Sequence, residues 1–425
     1  MRRRSARLAV VAAGIAGIGV LAGPAAAADT WRISTAADPV RDAWGHLWQA
    51  DAHAIGGHRR SVAITPRHTA SPQLYRTRRA GVRGYAIPVG QRGTYAVVVY
   101  LAEDGAVPIG TPLFDVLAEG RRGGTVVSRT ANAGLPNHVV LTTPVTDGRL
   151  NLRFVARRGA VQVSAIKVTR MWRSAARPRI RWRDEFAGAA GRSVHERRWA
   201  FDLGVGGAPG WGNRELQTYT ARGANVALDG AGHLAITARR ERYADADGAA
   251  RDYTAARINT HARYWFRYGE ASARLRFPAG NGVWPSFWAV GEDVYRVGWP
   301  MSGEFDIVEI LHSDPALAWG SLHGPAPDGG PFAVSREVAL TPPAADGFRV
   351  YGALWVPGAI QMRVDGKPYV TYTPEDLGRA RPWVYDKPFH LILNLAVGGT
   401  GSGPQPDATT PFPATMLVDW VRVRR

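Results

Sequence analysis

The sequence predicts an all-β protein built from two β-sandwich domains. Short apolar runs, such as residues 95–101 and 161–168, are interrupted by turn residues about every ten positions. No stretch of twelve residues keeps apolar side chains at helical spacing without an intervening cluster of glycine or proline. At 425 residues, the chain is long enough to form more than one hydrophobic core. Two packed sandwiches are the simplest arrangement of so many short strands.

The boundary between the two domains is predicted directly after residues 161–168. The next segment, residues 171–183, carries five arginines and a proline but little core-forming pattern. We therefore expect an N-terminal domain at residues 29–170, a linker at 171–183 and a C-terminal domain at 184–425.

The first 28 residues have the pattern of a signal peptide. Four arginines lie within the first seven positions, an apolar run covers residues 8–21, and small residues follow Pro24 as far as Ala28. The run is shorter than the roughly 20 residues that a membrane-spanning helix needs. Cleavage near Ala28 and secretion are predicted, by the general or the twin-arginine route, with no stable membrane insertion.

Composition excludes several kinds of site. Cysteine is absent, so disulfides, thiolate metal sites and a cysteine nucleophile are impossible. The formal charge of +18 makes a polyanionic partner conceivable. However, the only lysines are Lys167, Lys367 and Lys387 among many arginines, a bias that favours solvated surface charge. We expect no nucleic-acid partner and a monomer.

Three carboxylates mark the candidate active site, since Glu304, Asp306 and Glu309 fall within six residues of an apolar, β-prone stretch. Burying three acids on one strand is costly. In a regular strand Glu304 and Asp306 share one face, and Glu309 joins them only if a β-bulge separates it from Asp306. Spacing alone leaves open an acidic exposed edge strand or a cation site.

A bulged strand would let two of these carboxyl groups stand roughly 5–5.5 Å apart, the separation found in glycosidases that retain the anomeric configuration. One group then attacks the anomeric carbon while the other protonates the leaving oxygen. Asp306, lying between Glu304 and Glu309, is expected to hydrogen-bond Glu304 and to separate the two pKa values. Retention is the predicted outcome.

Two tryptophans precede the acids on a second predicted strand. In residues 283–289, strand alternation puts Trp284 and Trp288 on one face. Aromatic faces stack on the C–H faces of pyranose rings, so the pair predicts a sugar platform. Either ring could instead belong to the core.

The spacing Glu304-x-Asp306-x-x-Glu309 resembles the active strand of glycoside hydrolase family 16, in its bacterial laminarinase (endo-β-1,3-glucanase) branch. The resemblance runs from about Arg183 to Arg425 and includes seven further blocks in family order. It implies a curved jelly roll with an open sugar-binding cleft. The blocks are residues 184–186, 210–217, 253–258, 284–288, 322–325, 394–399 and 416–423.

The family resemblance also implies further site residues. Asn213, Arg257, Trp299 and His323 occupy blocks that line the family's cleft, so they are expected to contact substrate. One departure is the segment at residues 400–404, which reads Thr-Gly-Ser-Gly-Pro where the family usually has a Trp-Pro-Gly loop. An aromatic sugar contact is expected to be missing there.

No organic cofactor is required by the expected chemistry. The resemblance implies a possible structural calcium ion far from the cleft, with Glu185 and Asp419 as ligands. Two carboxylates are weak support for such a site, since calcium takes six to eight oxygen ligands.

Residues 29 to about 170 resemble malectin-like domains, also called carbohydrate-binding module family 57, which implies a β-sandwich and a candidate sugar-binding module. Malectin uses aromatic residues after a strand glutamate, but here Glu103 is followed by no ring as far as Pro108. Tyr75 and Tyr85 are the remaining candidates for ring stacking, or else core residues. The matching blocks are residues 48–51, 74–78, 93–99, 114–116, 147–150 and 165–168.

The sequence as a whole predicts a secreted, retaining endo-β-1,3-glucanase with a β-1,3-glucan polysaccharide as its substrate. Glu304 is the expected nucleophile, Glu309 the general acid/base and Asp306 the residue that tunes the nucleophile. Two alternatives stay open. One is the same hydrolysis on mixed-linkage β-glucan, galactan or agarose. The other is a non-catalytic β-glucan-binding protein.

Overall fold

The structure is a computed structural model that describes residues 30–62, 66–102, 107–128, 134–244, 248, 250–311 and 314–425. The predicted signal peptide, residues 1–28, and Glu103 lie outside the described residues. In the part of the chain that is described, no helix is long and apolar enough to cross a membrane.

The N-terminal half contains fourteen strands within its described residues and a 3-10 turn at Pro72–Tyr75. The strands are β1 (Thr30–Ser34), β2 (Val40–Arg41), β3 (Leu47–Trp48), β4 (Ala54–Ile55), β5 (His58–Ser61), β6 (Thr77–Ala80), β7 (Gly84–Pro88), β8 (Gly93–Ala102), β9 (Pro112–Ala118), β10 (Arg121–Val127), β11 (Pro136–Val145), β12 (Arg149–Ala156), β13 (Gln162–Val163) and β14 (Ala165–Trp172).

The C-terminal half is also made of strands, with a 3-10 turn at Pro209–Gly212 and two one-turn helices, α1 (Val294–Val297) and α2 (Pro374–Leu377). Its strands are β15 (Ile180–Asp184), β16 (Ala200–Asp202), β17 (Gln217–Tyr219), β18 (Val226–Leu228), β19 (Leu234–Ala244), β20 (Ala250–Ala255), β21 (Arg257–Asn259), β22 (Gly269–Arg276), β23 (Val283–Gly291), β24 (Glu304–Glu309), β25 (Leu317–Pro325), β26 (Pro331–Ala339), β27 (Arg349–Val356), β28 (Ala359–Val364), β29 (Lys367–Tyr372), β30 (Phe389–Val397) and β31 (Ala414–Arg424).

The N-terminal half is a β-sandwich. A four-stranded sheet in the order β1-β14-β8-β11 packs against a five-stranded sheet in the order β10-β9-β12-β7-β4. Strand β8 is buried along its whole length, because its alternate side chains enter two different cores. Val97 and Val99 lie inside the sandwich, whereas Val98 and Tyr100 face the C-terminal half. Burial on both faces explains the nearly unbroken apolar run.

The two halves share a hydrophobic cluster. Trp48, Tyr75 and Tyr100 of the N-terminal half pack with Leu354 and Val356 of β27. Hydrogen bonds reinforce this junction, since the backbone N–H of Ala70 donates to the carbonyl of Glu375 at 2.7 Å and the guanidinium of Arg363 donates to the carbonyl of Val140 at 3.2 Å.

Tyr75 and Tyr85 are core residues, so their interpretation as sugar-stacking rings is wrong. Both rings are almost completely buried. The hydroxyl of Tyr75 lies 3.0 Å from Nε2 of His138, and that of Tyr85 donates to Asp51 at 3.4 Å. A buried tyrosine needs such a partner for its hydroxyl group.

The predicted linker at residues 171–183 is partly structured. Strand β14 continues to Trp172, and β15 already begins at Ile180 and pairs antiparallel with the last strand, β31. Only residues 173–179 therefore lie between strands. The arginine-rich segment can form β15 because its side chains can face solvent while its backbone pairs at the sheet edge.

The C-terminal half is a second, larger sandwich, as the jelly-roll prediction requires. One sheet has ten strands, with the main path β17-β20-β19-β31-β22-β27-β28-β29, and the other has seven in the order β16-β21-β30-β23-β24-β25-β26. Their facing sides enclose one large apolar core. The opposite face of the seven-stranded sheet carries the polar side chains of the candidate site.

Candidate active site

Strand β24 contains the predicted β-bulge. Against β23, Asp306 pairs with Trp288 and Glu309 pairs with Ser286, so two residues of β24 oppose one residue of β23. The register against β25 shifts in the same place, between Asp306 and Glu309. The side chains of the two residues between Asp306 and Glu309 both point into the core. Glu309 therefore lies on the same side of the sheet as Glu304.

All nine residues predicted for catalysis and substrate contact line one cavity of about 560 Å³ over the seven-stranded sheet. Strands β21, β23, β24 and β25 contribute most of them, and two come from loops. The set is Glu304, Asp306, Glu309, Asn213, Arg257, Trp284, Trp288, Trp299 and His323.

Glu309 is held by two donors at the bulge. The indole N–H of Trp284 donates to its Oε1 at 3.0 Å, and the hydroxyl of Ser321 donates to its Oε2 at 3.1 Å. Ser335 in turn donates to Ser321 at 2.9 Å. Burial, and then the negative charge of Asp306, raise the pKa of Glu309 to about 8. The group is therefore protonated at neutral pH and can donate a proton.

Glu304 lies opposite His323 across the β24–β25 pair. The pKa of Glu304 is raised above its usual value, chiefly by burial and also by the charge of Glu309, although the positive charges of His323 and Arg257 and a hydrogen bond from Trp299 act in the opposite direction. Nε2 of His323 is 3.9 Å from Oε1 of Glu304. Cationic neighbours and a donor favour the carboxylate form, which a nucleophile requires.

Asp306 is paired with His323, and this differs from the predicted hydrogen bond between Asp306 and Glu304. Nε2 of His323 lies 3.2 Å from Oδ2 of Asp306. Burial and the charge of Glu304 raise the pKa of Asp306 to about 6. Burial lowers the pKa of His323, but its bond to Asp306 and the charges of the three acids outweigh this and raise it to about 10. His323 is thus an imidazolium between two acids.

Donor atoms of Glu304, Asp306 and His323 lie within 4.8 Å of one another. The three side chains interact with one another directly, since Nε2 of His323 is 3.2 Å from Asp306 and 3.9 Å from Glu304.

Trp288 is covered by Arg257 instead of forming an open platform with Trp284. The guanidinium carbon of Arg257 lies 4.7 Å from the ring centre of Trp288 and 4.6 Å from that of Trp211, so the cation is held between two rings. Asp202 binds Nε of Arg257 at 2.8 Å. Arg257 therefore has a rigid position beside the acids.

The segment at residues 400–404, which lacks the family's aromatic residue, packs directly on Trp284. A Cβ atom added at Gly401 would lie 2.5 Å from ring atoms of Trp284. Glycine is required by this close approach. Trp284 is thereby fixed from one side by backbone and from the other by its bond to Glu309.

Trp299 is the most accessible of the predicted aromatic contacts. Its side chain is 49% exposed, and its ring centre lies 6.3 Å from that of His323. Tyr295 of α1, which the sequence did not single out, also lines the cavity and is 71% exposed. These two rings add exposed aromatic surface to the cavity.

A buried network of hydrogen bonds links Asn213 to Trp288. The sequence did not predict these bonds. Asn213 donates to Oε1 of Glu215 at 3.2 Å, and the hydroxyl of Tyr219 donates to Oε2 of Glu215 at 3.0 Å. Asn394 donates to that hydroxyl at 3.1 Å and accepts from the indole of Trp288 at 2.8 Å. Glu215 and Asn394 fell in recognised blocks, whereas nothing in the sequence around Asp202 or Ser321 singled them out.

The residues proposed for calcium are engaged by arginines. Arg422 binds Glu185 in a bidentate pair at 2.9 and 2.7 Å, and Arg274 pairs with Asp419. Neither carboxylate is available as a ligand in this arrangement, so the residues do not fit a calcium ion unless both pairs are displaced. The calcium site stays a prediction.

Comparisons with known proteins agree on both halves of the chain. The family model for glycosyl hydrolases family 16 matches residues 213–422, and the malectin domain model matches residues 29–169. A β-glucanase of Rhodothermus marinus is 37% identical over 250 residues, which are 57% of this chain and 84% of that protein. A glucan endo-1,3-β-glucosidase of Cryptopygus antarcticus is 37% identical over 236 residues, covering 53% and 82%.

Solved structures give the same picture. The endo-β-1,3-glucanase of Pyrococcus furiosus superposes with a TM-score of 0.54 at 40% identity, over 58% of this chain and 94% of that one. The share of this chain that is covered is close to that of the β-glucanase match.

Proposed function

The chain belongs to glycosyl hydrolases family 16, and we propose that it is a secreted endo-β-1,3-glucanase that retains the anomeric configuration. One observation carries the proposal. A carboxyl group that is protonated at neutral pH, Glu309, and a carboxylate with cationic neighbours, Glu304, lie on one face of a bulged strand in the cleft. A protonated carboxyl group and a carboxylate stabilised by cations are what acid catalysis and nucleophilic attack require of this pair.

In the first step, a carboxylate oxygen of Glu304 attacks the anomeric carbon and forms an ester bond to the sugar. The glycosidic bond breaks, and its oxygen takes the proton of Glu309. Trp284 and Ser321 orient the Glu309 carboxyl group for this transfer. Because both donors stabilise the carboxylate that remains, they assist the departure of the proton.

In the second step, Glu309 acts as a base. It takes a proton from water, the water oxygen attacks the anomeric carbon, and the ester bond to Glu304 breaks. Two inversions at one carbon give net retention. His323 and Asp306 act as an ion pair beside the nucleophile, and the imidazolium charge stabilises Glu304 whenever it is a carboxylate.

The polymer is proposed to be β-1,3-glucan because the similar enzymes from Cryptopygus antarcticus and Pyrococcus furiosus are named for that linkage. Secretion is supported by the arginine-rich and apolar pattern of residues 1–28. The N-terminal sandwich is proposed to be an accessory carbohydrate-binding module, as its malectin match suggests. Since Tyr75 and Tyr85 are buried, its sugar contacts would involve other residues.

The proposal is tested by assaying laminarin hydrolysis through release of reducing ends. Glu304→Ser is expected to abolish turnover while the protein still shifts in a laminarin-containing gel. NMR of the first product formed by the wild type should show the β-anomer. Undiminished turnover by Glu304→Ser would overturn the assignment of the nucleophile, and an initial α-anomer would overturn retention.

A polysaccharide panel separates the alternatives. Release of ends from mixed-linkage β-glucan, galactan or agarose, with none from laminarin, would replace the proposed substrate while keeping the chemistry. Gel retardation without release of ends from any polymer would indicate a glucan-binding protein.

A further inference from the structure

A second cluster of ionisable side chains lies at one edge of the cleft, and the hydrolytic mechanism does not use it. It consists of His261, Glu292 and His390. The donor atoms of these three side chains all lie within 4.8 Å of one another.

Topology explains why the three residues meet. Strands β21, β30 and β23 are neighbours in the seven-stranded sheet. His261 follows the end of β21, Glu292 follows the end of β23, and His390 is the second residue of β30, directly opposite Val290. The three positions therefore come together at one end of these neighbouring strands.

We propose that His261, Glu292 and His390 form a binding site for a divalent transition-metal ion of the zinc class. The two imidazoles would bind through Nδ1 and Glu292 through its carboxylate. Two histidines and one carboxylate are a ligand set that zinc accepts in proteins, with further positions left for water.

The distances fit such an ion. Nδ1 of His390 is 2.9 Å from Oε2 of Glu292, and Nδ1 of His261 is 3.2 Å from Oε1. Ligands at about 2.05 Å in a tetrahedral arrangement stand about 3.3 Å from one another. Only small shifts of the side chains are needed to admit the ion.

Several of the candidate metal-binding atoms also lack hydrogen bonds to other groups. Within the described part of the chain, Nδ1 of His261, Nδ1 of His390 and Oε2 of Glu292 are buried and make no contact with hydrogen-bond geometry, despite their short distances. The other oxygen of Glu292 accepts the backbone N–H of Ala262 at 3.0 Å, a contact that orients the carboxylate. Buried polar atoms without such bonds are open to a further partner, and an ion is one that suits this set of donors.

A bound ion would stiffen this edge of the cleft. The ring of His261 lies 4.6 Å from the ring of Tyr295, centre to centre, and both Tyr295 and His390 line the cavity. An ion that fixes His261 would thus fix the ring against which Tyr295 packs.

The test is binding of Co²⁺ and Zn²⁺ to the full secreted chain, freed of any histidine tag and treated with chelator. Co²⁺ is expected to produce visible absorption bands of a bound ion at one equivalent, and Zn²⁺ to raise the unfolding temperature. Because His390 is buried, the deciding variants are His261→Ala and Glu292→Gln. Each should weaken binding by more than the roughly 10–100-fold that loss of an outer-shell partner costs.

His233→Ala is the matched control. His233 also pairs with a carboxylate, since its Nδ1 is 2.7 Å from Asp229, but within the described residues this pair belongs to no cluster of three candidate metal ligands. This variant should bind Co²⁺ as the wild type does. Absence of a one-equivalent Co²⁺ spectrum, or a spectrum that persists in both His261→Ala and Glu292→Gln, would overturn the proposal. Neither result bears on hydrolysis of laminarin.

Discussion

Trp284 donates its indole N–H to Glu309 across neighbouring strands at 3.0 Å. The bond favours the carboxylate and so opposes the burial that raises the pKa of Glu309 to about 8. Gly401 holds the tryptophan ring from the other side. The position of the proton donor therefore depends on a loop that is distant in the sequence.

Trp284→Phe should raise the pKa of Glu309 further, because it removes a donor that stabilises the charged form. We expect the alkaline limb of the pH profile of kcat/KM to move upward by up to about one unit. Trp288→Phe is the comparison, since Trp288 donates to Asn394 instead. An alkaline limb that stays in place in Trp284→Phe would contradict the role given to this bond.

Glu309→Gln removes the proton donor while keeping the shape of the side chain. Hydrolysis of laminarin should slow by about 10²–10⁴-fold, the usual contribution of general acid catalysis. Aryl glycosides with acidic leaving groups need less protonation, so glycosylation by this variant should be slowed much less for them. Equal losses for both kinds of substrate would argue against Glu309 as the acid.

His323→Gln removes a positive charge that lowers the pKa of Glu304 and of Asp306. Both pKa values should rise, so the fraction of ionised nucleophile falls at low pH and the acid limb of kcat/KM moves to higher pH. The sign follows because loss of a neighbouring cation disfavours the carboxylate. The pH profile of the variant, compared with that of the wild type in one buffer series, checks it.

Gly401→Ala places a methyl group in the space of the Trp284 ring. We expect the ring to shift, the bond to Glu309 to weaken and kcat/KM to fall roughly tenfold, equivalent to about 1.4 kcal/mol. Gly207→Ala is the control, because a Cβ atom there meets nothing within 4 Å. Similar kinetics for both variants would show that the loop does not position Trp284.

The acids were predictable because their spacing conflicts with a regular strand. Glu304 and Glu309 are an odd number of residues apart, so a shared face requires the bulge, and the register of β24 shows it. The role of Trp288 was less predictable. Alternation placed it correctly on the cleft face, but it could not reveal that Arg257 covers the ring.

The sequence by itself determined the all-β class, the block pattern of the larger domain and the strand that carries the acids, because these depend on local periodicity and spacing. Only the tertiary structure decided which groups surround each acid. Glu309 meets Trp284 and Ser321 from the strands on either side, and Asp306 meets His323 instead of Glu304. Such contacts join residues far apart in the chain, so no local pattern encodes them, and the protonation state of each acid follows from them.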